Sequence, residues 1–183
     1  MLDDVNYPTD SNENVPNNTH EYSGDHGSVS CHRMWSVKAH GDRVTGLAVH
    51  PGVNIRQGPT EVHYCTACAD GSAALLDGTG KALHRLGGAD NNNMNNSSNS
   101  DDPPKARLGR CAFHPSGRVV GTACFDTTWK VWDVERGQEL YEQEGHSRAV
   151  YTVAFHPDGS LAATGGLDSI VRVWDLRTGR TAL

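Results

Sequence analysis

Residues 145–180 have the sequence GHSRAVYTVAFHPDGSLAATGGLDSIVRVWDLRTGR, and this stretch determines the predicted fold. It contains three runs rich in β-branched, aromatic and small residues, from Val150 to Phe155, from Leu161 to Gly165 and from Ile170 to Trp174. His156-Pro157-Asp158-Gly159 separates the first two runs, and its Pro and Gly favour a tight turn. The pattern therefore predicts consecutive antiparallel strands joined by short turns.

A Gly-His pair opens this stretch and a Trp-Asp pair closes its third strand. Gly145-His146 and Trp174-Asp175 resemble the signature of a WD40 repeat, one blade of a β-propeller. The resemblance implies a hydrogen-bonded tetrad formed by His146, Thr164, Asp168 and Trp174. These residues suit one another because each supplies a donor or acceptor that its neighbour lacks. The alternative is an ordinary meander whose His and Trp are unrelated.

A second copy of the pattern lies immediately upstream. Trp132-Asp133 precedes Trp174-Asp175 by 42 residues. Three tetrad places are filled, by Thr122, Asp126 and Trp132, whereas the His place falls on Pro104. One hydrogen-bond partner of Asp126 is then missing, and we expect a water molecule to take its place.

A third copy begins at residue 40. Its tetrad places hold His40, Thr66 and Asp70, while Leu76 stands in the Trp place. Alignment with residues 146–168 requires eight extra residues around 52–61, which predicts a longer hairpin loop there.

The predicted fold is all-β: a WD40 β-propeller with about three blades present of an expected total of about seven. Blade one is assigned to residues 33–86, blade two to 105–143 and a truncated blade three to 144–183. An Asn-rich low-complexity insert at 87–104 separates the first two. Since a propeller closes with roughly four to eight blades, we expect the chain to be part of a larger propeller or to need a partner.

Residues 1–32 differ in composition from the rest. They contain six of the 22 acidic residues and no Lys or Arg, so the remaining 16 acidic residues balance the 16 basic ones. Few apolar residues occur there, and we predict a disordered tail. No run approaches the length of a membrane span, and the odd number of cysteines, five, does not favour a disulfide framework. We therefore expect a soluble, intracellular protein that makes no membrane contact.

The sequence provides no support for catalysis, so we predict a protein that is not an enzyme and has no cofactor, metal or small-molecule substrate. Recognised hydrolase, phosphate-binding and dinucleotide-binding motifs are missing from it. Cys65 and Cys68 form a C-x-x-C, but residues three apart on a strand point to opposite faces. We interpret both as buried strand residues, and Asp126 and Asp168 as members of separate tetrads. Trp129 is predicted to pack between blades.

A more specific resemblance covers residues 39–86 and 105–183. The runs 114–118, 121–126, 129–133, 143–147, 164–168 and 172–180 resemble the WD-repeat subunit of the spliceosomal U4/U6 small nuclear ribonucleoprotein (snRNP). This resemblance implies a nuclear, non-catalytic scaffold in pre-mRNA splicing. The implied partners are other proteins of the U4/U6 and U4/U6.U5 snRNPs, and U4/U6 snRNA directly or indirectly. The Asn-rich insert and the short tail depart from that family.

Candidate partner-binding residues follow from the same analogy. Phe125 and Leu167 precede the turn Asp of their blades, and Arg148 lies two residues after His146, so all three are expected at one end of the propeller. Phe and Arg are common at binding hot spots; the alternative is that Phe125 is packed and Arg148 only solvated. A generic WD40 adaptor in ubiquitin ligation or signalling is the second functional hypothesis, and a hydrolytic propeller enzyme is the third.

Overall fold

The structure is a computed structural model that describes residues 20–24, 27–31, 35–52, 62–87, 106–178 and 180–181. The chain divides into two units, residues 1–36 and 37–183. The predicted bounds of the Asn-rich insert and the predicted long hairpin loop lie almost entirely outside the described residues. Among the described residues, no helix is long and apolar enough to cross a membrane.

The first unit contains a hairpin of β1 (His20–Gly24) and β2 (Gly27–Cys31). The two strands pair antiparallel, with Tyr22 opposite Val29 and Gly24 opposite Gly27. Disorder was predicted throughout residues 1–32, and the structure differs from that prediction in these strands. The physical reason lies in the local sequence, because Tyr22 and Val29 have high β propensity and a glycine ends each strand next to the connection.

In the described residues of the second unit, the strands form three four-stranded antiparallel sheets, each made of consecutive strands. Their strands are β3 (Val44–Val49), β4 (Tyr64–Cys68), β5 (Ala73–Leu76) and β6 (Ala82–Leu86); β7 (Leu108–Phe113), β8 (Val119–Cys124), β9 (Trp129–Asp133) and β10 (Glu139–Gln143); and β11 (Val150–Phe155), β12 (Leu161–Gly166), β13 (Val171–Asp175) and β14 (Arg180–Thr181).

The three sheets are blades of a partial WD40 propeller. Strand β7 packs against both β3 and β11, so the first strands of the blades lie side by side. In blade three, β11 has the predicted bounds, whereas β12 and β13 each end one residue later than predicted. The all-β fold predicted from the repeat pattern is confirmed.

Two hydrophobic clusters hold neighbouring blades together. One joins blade one to blade two and includes Leu75 and Phe113. The other joins blade two to blade three and includes Trp129, Val153 and Trp174. Trp129 is fully buried, with its ring centroid 5.7 Å from that of Trp174. Its predicted position between blades is therefore confirmed.

In blades one and two, a histidine from the turn after the first strand also reaches the next blade. His50 Nε2 lies 3.0 Å from the Gly117 carbonyl oxygen, and His114 Nε2 lies 2.9 Å from that of Gly159. Each imidazole also meets an aromatic ring of the following blade edge-on, at centroid distances of 5.1 Å to Phe113 and 5.4 Å to Phe155. The blades are thus joined by a repeated polar and aromatic contact as well as by apolar packing.

Candidate interaction surface

The blade-three tetrad forms one unbroken hydrogen-bond chain. Trp174 Nε1 donates to Thr164 Oγ1 at 2.8 Å, and Thr164 Oγ1 lies 2.7 Å from His146 Nε2. The other ring nitrogen, Nδ1, lies 2.8 Å from Asp168 Oδ2. Since the carboxylate can only accept, Nδ1 carries the proton and Nε2 accepts from the threonine. The predicted tetrad is therefore assembled in this blade, and the chain links strands β12 and β13 to the loop before β11.

Blade one contains a related chain that lacks the Trp member, because Leu76 stands in its place, and that includes a serine. His40 Nε2 lies 2.7 Å from Thr66 Oγ1, but His40 Nδ1 meets Ser72 Oγ at 3.0 Å instead of a carboxylate. Ser72 then donates to Asp70 Oδ1 at 2.6 Å. The serine relays the bond between His40 and Asp70, a role that the sequence analysis missed. The detectable signal was a hydroxyl two residues after the turn Asp, where blade three has Ile170.

Blade two has the two ends of the chain without its middle. Trp132 Nε1 donates to Thr122 Oγ1 at 2.9 Å, and Thr128 donates to Asp126 Oδ1 at 2.7 Å. Between blades one and two lies a cavity of about 250 Å³ whose lining includes Asp126, Trp132 and Gly87. The cavity lies beside the tetrad carboxylate of blade two, and the water expected beside Asp126 stays a prediction.

Hydrogen bonding keeps the tetrad carboxylates ionised. Burial opposes ionisation of Asp168, but donation from His146 and from the backbone N–H groups of Ile170 and Ser147 places its pKa below the ordinary value. Burial lowers the pKa of His40, against the opposing effect of the Asp70 charge. A neutral imidazole beside an ionised carboxylate is a stable hydrogen-bonding pair, which fits a structural role.

His40, Cys68 and Asp70 form a group whose potential ligand atoms lie within 4.8 Å of one another. Both imidazole nitrogens already have hydroxyl partners, and burial raises the pKa of the Cys68 thiol. A protonated thiol is a poor metal ligand. Cys65 belongs to the cluster between blades one and two, where Cys111 Sγ donates to its carbonyl oxygen at 3.4 Å. The group therefore fits the blade-one hydrogen-bond network better than a metal site.

The residue before each turn Asp is fixed by one repeated backbone bond. The N–H of Phe125 donates to the carbonyl of Arg107 at 2.9 Å, and the N–H of Leu167 donates to that of Ala149 at 2.8 Å. Ala69 N–H makes the same bond to Arg43 in blade one. The turn before the third strand and the entry to the first strand therefore lie together at one end of each blade.

Aromatic and basic side chains meet at this end. The ring of Phe125 lies 4.7 Å from the ring of Tyr151, centroid to centroid, across the boundary between blades two and three. Both rings line a cavity of about 300 Å³ together with Arg43 and Arg107. We call these four residues, Phe125, Tyr151, Arg43 and Arg107, the aromatic-arginine patch.

The predicted binding residues are only partly brought together. Phe125 lies in the patch, Arg148 is exposed, and Leu167 is half exposed on an apolar surface of blade three that also includes Ile170. Arg43 and Arg107 were missed, although both stand immediately before the first strand of their blades. Sequence alignment of the blades shows this equivalence, but the gathering of the side chains depends on how the blades are arranged.

Comparisons with known proteins agree with the repeat structure. The family model "WD domain, G-beta repeat" matches residues 105–133 and 137–175. The chain is similar to the yeast (Saccharomyces cerevisiae) protein U4/U6 small nuclear ribonucleoprotein PRP4, with 46% identity over 39 residues, 21% of this chain and 8% of that protein. It is also similar to dynein assembly factor with WD repeat domains 1 of Danio rerio (41%) and Xenopus laevis (44%), each over 46 residues, 25% of this chain and 11% of that protein.

Proposed function

We propose that this chain, whose residues 105–133 and 137–175 are WD40 repeats, is a non-catalytic protein-interaction scaffold of the U4/U6 and U4/U6.U5 snRNPs in pre-mRNA splicing. WD40 repeats act generally in protein interaction. The splicing role, the snRNP partners and the nuclear location form the specific part of the proposal. Fold alone cannot supply this part, because propellers carry many unrelated functions.

Sequence similarity supports the splicing role. The yeast relative named as a U4/U6 snRNP protein shares 46% of 39 residues with this chain. The chain spans about a tenth of the length of the curated relatives it matches. The resemblance at Gly121 to Asp126 and at Arg172 to Arg180 lies within or beside the matched repeats.

The aromatic-arginine patch is the observation that carries the binding role. Phe125 and Tyr151 present adjoining rings, and Arg43 and Arg107 place two positive charges at the same cavity. Aromatic and Arg side chains dominate binding hot spots because they bury large areas and bind carboxylates in a bidentate manner. This chemistry fits an acidic segment of a partner protein that also carries an apolar side chain.

The decisive experiment is purification of the tagged full chain from nuclear extract, followed by RNA sequencing and protein mass spectrometry. We expect enrichment of U4 and U6 snRNA together with snRNP proteins. Arg107→Glu should abolish that enrichment because it reverses a charge of the patch. Arg136→Glu is the matched control, since Arg136 is also exposed but lies in the β9–β10 turn at the opposite end of the same blade. Loss with both variants, or with neither, contradicts the assigned surface.

A generic adaptor is the second candidate, and the similarity to two dynein assembly factors favours it. Purification that yields other proteins without U4 or U6 snRNA would support this adaptor and reject the splicing role. Fluorescence microscopy of the tagged chain gives an independent result, because the splicing proposal requires a nuclear signal.

A further inference from the structure

Blades one and three each hold a histidine ring between a threonine hydroxyl and the group around the turn Asp. In blade three, the ring of His146 lies 2.7 Å from Thr164 Oγ1 and 2.8 Å from Asp168 Oδ2. In blade one, the ring of His40 lies between a threonine hydroxyl and a serine hydroxyl that donates to the turn Asp. Two blades therefore show what such a pair of groups binds: an imidazole with one donor and one acceptor nitrogen.

Blade two has the threonine end of this arrangement. Thr122 Oγ1 accepts from Trp132 Nε1 at 2.9 Å, and the equivalent distance in blade three is 2.8 Å. Thr122 and Thr164 hold the same place in their second strands, and both are buried. In blade three the threonine hydroxyl then donates to the histidine ring. The Thr122 hydroxyl can donate to a ring nitrogen in the same way.

The carboxylate end is also formed in blade two. The Thr128 N–H donates to Asp126 Oδ1 at 3.0 Å. In blade three, the corresponding N–H of Ile170 donates to Oδ1 of the turn Asp at 3.1 Å, and Oδ2 meets the histidine. Thr128 Oγ1 also donates to Asp126 Oδ1 at 2.7 Å, as the serine of blade one does to its own turn Asp. Blade two therefore offers both kinds of acceptor that the other blades use.

The cavity between blades one and two lies at these groups. Its volume is about 250 Å³, and Asp126 and Trp132 contribute to its lining. One water molecule takes up about 30 Å³ of the liquid, so an imidazole ring has room in this cavity. In the described part of the chain, no side chain bridges Thr122 and Asp126.

The backbone beside the cavity resembles the backbone that carries the histidine in blade three. A Cβ atom at Gly87 would lie 3.6 Å from Cη2 of Trp132. A Cβ atom at Gly145 would lie 3.0 Å from Cη2 of Trp174. Gly145 directly precedes His146, whereas the residue after Gly87 is another glycine and has no side chain. The tryptophan of blade two thus has the neighbouring glycine without the ring that follows it.

The charges at the cavity disfavour an anionic ligand. Lys130 contributes to the lining, but its Nζ lies 3.0 Å from Glu139 Oε2 and 3.2 Å from Glu142 Oε2. Burial opposes ionisation of Asp126, yet hydrogen bonds from Thr128 hold its pKa below the ordinary value. The carboxylates at the cavity therefore outnumber the single ammonium group. A neutral or cationic ligand with an N–H donor fits this environment, and acetate or phosphate does not.

We propose that the cavity of blade two binds an imidazole group between Thr122 and Asp126. One ring nitrogen accepts from Thr122 Oγ1, and the N–H of the other donates to the Asp126 carboxylate or to the Thr128 hydroxyl. The group belongs either to a small imidazole compound or to a histidine side chain of a partner protein. This site is independent of the splicing role and of the aromatic-arginine patch.

A nuclear magnetic resonance titration of the ¹⁵N-labelled full chain with imidazole tests the proposal. At about pH 8 the imidazole ring is mostly neutral. The indole N–H signal of Trp132 should shift, with half-saturation at about 1–10 mM for so small a ligand. The signal of Trp174 should stay in place, because its threonine already bonds a histidine. 1-Methylimidazole has no N–H and pyrrole has no acceptor nitrogen, so each should bind about ten-fold more weakly.

Matched variants locate the site. Binding followed on the imidazole signals by saturation transfer should be lost in Thr122→Val and kept in Thr164→Val, and circular dichroism should show the β-sheet signal in both. N-acetylhistidine amide is the second probe: binding at least as tight as that of imidazole identifies a histidine side chain as the source, and weaker binding identifies a small compound. The proposal is overturned if imidazole up to about 100 mM leaves Trp132 unshifted, if Trp174 shifts equally, if the three azoles bind alike, or if the two valine variants behave alike.

Discussion

A Thr→Val substitution in each blade tests the energetic value of the tetrads. Thr66, Thr122 and Thr164 are equivalent, all are buried, and valine has nearly the same shape as threonine. The hydroxyl of Thr164 bonds both Trp174 and His146, whereas that of Thr122 bonds Trp132 without a histidine partner. The same substitution therefore removes a different number of bonds from equivalent sites.

The expected magnitude follows from the groups left without partners. A buried donor or acceptor that loses its partner costs about 1–3 kcal/mol. Thr164→Val leaves two such groups without a partner, the Trp174 N–H and His146 Nε2, and should lower the free energy of unfolding by about 3 kcal/mol. Thr122→Val leaves the Trp132 N–H without a partner and should lower the free energy of unfolding by about 1.5 kcal/mol. Thr66→Val leaves a nitrogen of His40 without its hydroxyl partner and removes a long bond of 3.4 Å to the Ala74 carbonyl oxygen. Because Leu76 takes the Trp place, this variant should resemble Thr122→Val.

Urea unfolding at fixed protein concentration measures these differences. With a slope m of about 2 kcal/mol/M, the unfolding midpoint of Thr164→Val should lie about 0.8 M below that of Thr122→Val. Equal m values are required for the comparison, since a changed slope indicates a changed unfolded state or an intermediate. Equal midpoints for Thr122→Val and Thr164→Val would refute the reasoning, because the bond to His146 would then add nothing to stability.

Three other predictions concern the packing between blades and the ionisation of a tetrad histidine. Gly109→Ala should lower the free energy of unfolding by about 2 kcal/mol, because a Cβ atom at this position would lie 2.5 Å from the Tyr151 carbonyl oxygen. Gly41→Ala is the control: the atom nearest to a Cβ there is 3.9 Å away, so this variant should have little effect on the thermal midpoint. Trp129→Ala should cost about 3–5 kcal/mol in urea unfolding because a fully buried indole is lost, and a near-neutral result would contradict its core position. Burial lowers the pKa of His40, so its contribution to stability is complete above about pH 6.5 and is lost as the pH falls through the lowered pKa; calorimetry from about pH 7 to about pH 5 should show a smaller loss of stability for His40→Asn than for wild type.

The strands and tetrads were predictable because the same sequence pattern occurs three times, so that each copy helps to locate the strands of the others. Trp132 and Trp174 fix the end of the third strand in two blades, and the turn at His156-Pro157-Asp158-Gly159 fixes the hairpin between the first two strands of blade three. Val150 and Val153 are three residues apart and still pack in the same cluster, because the bulge between Val150 and Thr152 interrupts the alternation along β11. These features depend on residues close in sequence.

Contacts between blades were harder to predict because they join residues far apart in sequence. His50 and His114 each lie within hydrogen-bond distance of a glycine carbonyl oxygen in the next blade, 67 and 45 residues further along the chain. The Ser72 relay was missed because hydroxyls are common in turns, and only the distances distinguish a relay from a solvated side chain. The Phe125–Tyr151 ring pair likewise depends on how two blades are set against each other.

The tetrads join strands within one blade, whereas the apolar clusters join neighbouring blades. Blade three shows that these two kinds of contact are independent of each other. Its hydrogen-bond chain is complete, so its strands are joined by side chains as well as by the backbone. Val171 on its third strand is nevertheless 72% exposed, whereas the equivalent Ala73 and Trp129 of the other blades are fully buried. Blade two shows the reverse: its tetrad lacks a histidine, but both of its faces are packed. Hydrogen bonds within a blade therefore cannot replace apolar contact between blades. A tetrad substitution should weaken one blade wherever it lies, whereas a substitution in an interblade cluster, such as one at Trp129, should weaken two blades at once.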